Sequence, residues 1–72
     1  MSNLAERMRA LRKSRGLKQE TAAQSSGIPV RSFRRYENGE QEPGLTAIWK
    51  LADFYEVSID YLVGRSDEKG TP

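Results

Sequence analysis

The sequence predicts an all-α fold, a compact bundle of five short helices. Three observations carry this reading. Apolar residues recur at intervals of three and four along most of the chain, and strand-like alternation is absent. Glycine and proline punctuate the 72 residues into blocks of helical length. A single domain of this size has a thin core, which short helices joined by tight turns can build.

The first helix is expected from about Leu4 to Ser14, because Leu4, Met8 and Leu11 fall on one face. Asn3 is placed to cap its first amides, Glu6 to complete a capping box, and Gly16 to stop it. A second helix is expected from about Gln19 to Ser26, ended by Gly27. A third starts near Pro29, which suits a first helical turn, and ends before Asn38-Gly39. Pro43-Gly44 opens a fourth helix, about Leu45 to Tyr55, with Leu45, Ile48, Leu51, Ala52 and Tyr55 as its apolar face. Ser58 can cap a short last helix holding Ile59, Tyr61 and Leu62. Residues 1–65 then form one domain, and 66–72 a disordered polar tail ending Gly-Thr-Pro.

Composition removes several classes of function. Without cysteine or histidine there is no disulfide and no Cys/His zinc site. No Gly-rich phosphate loop or paired-carboxylate motif is present, so no catalytic residue, cofactor or metal is expected. The longest uncharged run, Thr21 to Val30, is mostly polar or small and too short for the roughly 20 apolar residues of a membrane span. The N-terminal residues lack the basic-then-apolar order of a secretion signal. A cytoplasmic protein, associated with the nucleoid, is the expectation. Charge is divided unevenly. Residues 1–39 hold nine Lys/Arg against three Asp/Glu, whereas residues 40–72 hold three against seven. The first half is therefore suited to face a polyanion.

The stretch Gln19 to Gly39, QETAAQSSGIPVRSFRRYENG, is the most informative. A helix-turn-helix needs a small residue where its helices cross, and Ala23 supplies one. It needs a glycine where φ turns positive, and Gly27 supplies that. Phe33 and Tyr36, three residues apart, point from the second of its helices into the core. Val30, Arg31, Arg34 and Arg35 share the remaining face, a basic head suited to read bases in a major groove. Val30 can pack on a thymine methyl, and an arginine can pair two donors with guanine.

Taken together, LAERMRALRKSRGLKQE, SFRRYENGEQEP and LADFYEVSIDYLVG resemble the phage-repressor/Cro (XRE) family of helix-turn-helix regulators across about residues 4–64. The resemblance implies a five-helix bundle of the phage-repressor DNA-binding-domain type. It implies a transcriptional regulator, in its common role a repressor, that binds double-stranded DNA. By the same resemblance, Gln19 contacts a phosphate and Val30, Arg31 and Arg35 reach base edges. Asn38 and Gly39 match a loop whose backbone amides approach phosphates on the opposite strand. Arg12 and Glu37 match a buried ion pair tying the first helix to the recognition helix. An acid on a helix aimed at DNA makes sense only if it turns inward. Arg7, Arg9, Lys13, Arg15 and Lys18 supply a general field, with Lys18 placed for a phosphate.

The chain departs from the family pattern in places. Pro29 replaces a Ser/Thr cap, and Glu56 replaces a helix-ending glycine. Ala22 and Ser26 are smaller than usual and Phe33 larger, which suggests a volume exchange within one core.

One recognition helix reads too short a word for a genome, so a homodimer on a palindromic operator is expected, weak without DNA. Its surface is expected at the loop Gln41 to Gly44 and the exposed side of Tyr55 to Val63, with Trp49 and Tyr55 as core or dimer-contact residues. The competing reading is a protein-interaction or antitoxin-like module on the same fold, for which the acidic second half could hold a basic partner.

Overall fold

The computed structural model describes residues 3–70 of the chain. The expected tail residues Thr71 and Pro72 lie outside the described residues. Five α-helices follow one another: α1 (Leu4–Ser14), α2 (Gln19–Ser26), α3 (Val30–Glu37), α4 (Leu45–Tyr55) and α5 (Ile59–Val63). No strand occurs among the described residues. The all-α, five-helix expectation therefore stands.

Local sequence explains most of the boundaries. Gly27 ends α2 with φ 78, a left-handed conformation that costs glycine little. Pro29 stands just before α3 rather than inside it, with φ −56 and ψ 138, and directs the chain into the helix without a side-chain cap. The Ser58 side chain accepts a hydrogen bond from the Tyr61 amide, at 3.0 Å, and so caps α5. Glu56 ends α4 in the left-handed region at φ 56, the one such non-glycine residue among those described.

Two expectations fail. Asn3 makes no side-chain cap and no capping box with Glu6 forms. Its ψ of 23 lies outside the extended range of a capping residue. Its carbonyl nevertheless accepts from the Arg7 amide at 2.9 Å, so the helix starts there. Leu45 belongs to no buried face and is 70% exposed. The buried stripe of α4 is Leu51, Ala52 and Tyr55, with Ile48 half-buried.

The helices form a closed ring of packing. α3 packs on α1 and α2, α4 on α2 and α5, and α5 on α1. At the centre lie Met8, Phe33, Leu51, Val57 and Leu62, all fully buried. Ala22 and Ala23 are fully buried in the same cluster, and Ser26 is buried beside them. Small residues on α2 and a large Phe33 on α3 fit the expected exchange of volume.

Polar ties close the ring. Arg15 donates to the Phe54 carbonyl at 2.9 Å and lies over the Phe54 and Tyr55 rings. Lys50 donates to the Gly27 carbonyl at 3.2 Å, satisfying an acceptor at the end of α2. Arg7 donates to the carbonyls of Tyr61 and Ser66, each at 2.6 Å, pairs with Asp67 at 2.8 Å and stacks on Tyr61. It is thus occupied inside the domain and adds little to an outward field.

Candidate nucleic-acid interface

The site is built on α3, whose ends are held differently. At its start, Val30 is half-buried against the core, leaving part of its side chain outward. Along its length, Phe33 and Tyr36 face inward, while Arg31, Arg34 and Arg35 are exposed. None of these three arginines forms an ion pair among the described residues. The outward face therefore presents three unneutralised guanidinium groups, each a planar fork of donors.

At its other end, Glu37 is 0% exposed, and its carboxylate is the hub of a polar cluster. Arg12 Nε donates to Glu37 Oε2 at 2.8 Å, and Gln19 Nε2 donates to Oε1 at 2.9 Å. Arg12 also donates to the Leu17 carbonyl at 2.9 Å. Arg9 donates to the main-chain carbonyl of Glu37. Three side chains from α1 and the start of α2 thus grip the last residue of α3 by its carboxylate and its backbone. A carboxylate taken out of water needs such compensation. The cluster fixes the angle at which α3 leaves the bundle.

Tyr55 borders this cluster. Its hydroxyl is buried with no hydrogen-bond partner among the described residues. Burial first, and the negative charge of Glu37 second, push its pKa up to about 12, against the opposing pull of Arg12 and Arg15.

The remaining expected site residues flank α3. Lys18 is exposed at the N-cap of α2, and Gln19 follows at its first turn, half-buried. Asn38 and Gly39 are exposed in the turn after α3. Their amides donate internally, Asn38 to the Arg34 carbonyl at 2.9 Å and Gly39 to the Tyr36 carbonyl at 3.2 Å. What remains free there is the Asn38 side chain and the open approach over Gly39, where a Cβ would meet nothing within 4 Å.

The structure adds two ties to those expected, the Gln19 to Glu37 hydrogen bond and the Arg9 clamp. One signal for the second was legible: Arg9 precedes Arg12 by three residues, so both lie on one face of α1.

Comparison with known proteins identifies the family and the fold. The helix-turn-helix family model matches residues 8–62. The chain belongs to this family. The uncharacterized HTH-type transcriptional regulator YobD of Bacillus subtilis is 38% identical over 63 residues, which are 88% of this chain and 56% of that protein. The cryptic phage CTXphi transcriptional repressor RstR of Vibrio cholerae is 40% identical over 63 residues, 88% of this chain and 57% of the repressor. The chain spans little more than half the length of these relatives. Among solved structures, the P22 c2 repressor in complex with a synthetic operator superposes with TM-score 0.78 at 28% identity, over 83% of this chain and 91% of that one. The restriction-modification controller protein C.AhdI of Aeromonas hydrophila superposes with TM-score 0.77 at 33% identity, over 85% and 92%. No helix among the described residues is long and apolar enough to cross a membrane.

Proposed function

We propose that this chain is a sequence-specific double-stranded DNA-binding module of a transcriptional regulator, acting as a repressor. α3 enters the major groove. Arg31, Arg34 and Arg35 meet base edges there, and Val30 meets a thymine methyl. Lys18, the second N–H of the Gln19 amide, the Asn38 side chain and the open backbone at Gly39 meet phosphates on either side. The start of α2 adds amides without intrahelical partners, a favourable environment for an anion. Two copies bind a palindromic operator, weakly associated until DNA brings them together. The cytoplasm, at the nucleoid, is the compartment that fits this role.

One observation carries the proposal: three unpaired arginines share the open face of a helix whose other end is locked by a buried carboxylate. An interaction module has no need of such a face. Several relatives are named as transcriptional regulators or repressors, which supports the reading. Selection of bound sequences from random duplex DNA tests it. A palindromic preferred site with half-site centres about 34 Å apart is expected. Recovery of no preferred sequence at any salt concentration would remove the proposal.

A further inference from the structure

Leu45 and Trp49 are 70% and 59% exposed, four residues apart on one face of α4. They are the two largest exposures of big apolar side chains among the described residues, followed by Ile59 at the start of α5. We infer that this face of α4 is the apolar centre of the contact between two copies of the chain, with Trp49 as its anchor. The inference rests on the two-copy reading above and names the surface that reading requires.

Position on the helix comes first. At about 100° per residue, Leu45 and Trp49 fall within about 40° of each other on α4, and Glu56 caps its end. Lys50 lies about 100° from Trp49, on the edge that reaches α2 through the Gly27 carbonyl. Ala52, buried, lies about 20° beyond Leu45 on the side away from Trp49, where the open sector ends. In the ring of packed helices, α3 is held by α1 and α2, while α4 and α5 close the opposite side. The patch thus sits on a helix other than the one that carries the arginine face.

Charge argues for a second copy over a nucleic acid. The exposed charged residues on α4 and at its C-cap are Lys50, Asp53 and Glu56, one base and two acids. A polyanion meets net repulsion there, whereas a two-fold contact brings both signs from each side.

Area decides the strength. Leu45 and Trp49 together expose on the order of 300 Å² of side chain, against about 800 Å² per partner in a specific protein contact. Such a patch serves as a hydrophobic centre inside a polar rim but holds no partner tightly by itself. A second copy on the adjacent half-site is already held at high local concentration, so a small contact suffices. A large exposed aromatic is also the residue type that most often dominates an interface.

Trp49 is the only tryptophan in the chain, so its fluorescence reports on this patch alone. The experiment is sedimentation equilibrium and tryptophan emission on the 72-residue protein from micromolar to millimolar concentration, without DNA. The expected result is a weak dimer whose formation shifts the emission to the blue. Trp49→Gln and Leu45→Gln, at exposed positions, should each raise the dissociation constant at least tenfold with the melting temperature of the monomer unchanged. A chain that stays monomeric to millimolar concentration overturns the inference and leaves the patch to a different protein. So does a dimer that forms with no change in emission, or one that survives both substitutions at its original strength. Binding of each variant to random-sequence duplex at low salt, measured by anisotropy of labelled DNA, separates the two claims. Lost self-association with unchanged duplex binding supports the patch and keeps the DNA reading. Self-association without any duplex binding keeps the patch and removes that reading.

Discussion

Replacing Glu37 with alanine is the sharpest test of how α3 is held. The carboxylate is fully buried, and it is the acceptor for both Arg12 and Gln19. Its removal leaves Arg12, with 14% of its side chain exposed, short of its counter-ion, and leaves the Gln19 amide without its acceptor. Breaking one side of a buried pair costs about 3–5 kcal/mol, because the stranded charge keeps its desolvation penalty. A domain of this length has about 4–11 kcal/mol in total. Glu37→Ala is therefore expected to remove about a quarter or more of the stability and to lower the urea midpoint sharply. The double change Arg12→Met with Glu37→Met removes both charges and refills the volume, so it should cost less than Glu37→Ala alone. Urea melts followed by far-UV circular dichroism read both quantities. A Glu37→Ala protein within about 1 kcal/mol of the parent, or a double variant worse than the alanine, would refute the reasoning.

Four further outcomes are expected. Arg31→Ala and Arg35→Ala should each cost about 1–3 kcal/mol on the preferred DNA site and relax one position of it, whereas uniform weakening on all sequences would mark them as phosphate contacts. With about 4–8 phosphates neutralised per pair of copies, log K against log salt should slope at about −4 to −7, and a flat response would exclude the docking face. Tyr55, raised to about 12 in the folded chain, should lend stability that is complete below about pH 10 and lost as pH rises toward 12; alkaline melts of Tyr55→Phe, which lacks the unpartnered hydroxyl, should show no such loss. Glu56→Gly should relieve the left-handed strain at φ 56 and raise stability by about 0.5–1 kcal/mol, a gain of roughly 3–6 °C in Tm, and a lower Tm would mean that the exposed pair with Arg15 matters more than the strain.

Much of the fold was legible because the chain marks its own boundaries. Gly27, Asn38-Gly39 and Pro43-Gly44 interrupt the apolar periodicity at points where the helices end or begin. The inward turn of Glu37 was legible from its type, since an acid is out of place on a helix otherwise lined with arginines and expected to face DNA. Leu45 was misjudged because periodicity reports which residues share a face, not how far a neighbouring helix extends over it. Asn3 was not legible as a non-cap because capping depends on its backbone ψ, here 23, which residue type alone does not report. The Gln19 bond and the Arg9 clamp were hidden because they join residues 18 and 28 apart in sequence, and only the crossing of α1, α2 and α3 brings them together.

Arg7 has a consequence for how this unit joins others. It binds positions 54, 59 and 60 residues later in the chain, while Gly64 sits against Asn3. Asn3 and Arg7 near one end of the described residues and Tyr61 to Asp67 near the other therefore lie side by side, beside α1 and α5. A unit whose ends meet can be cut and rejoined there, or set into a loop of a larger host, as if on a single stem. The exposed arginine face on α3 then keeps its shape whatever the stem is fastened to.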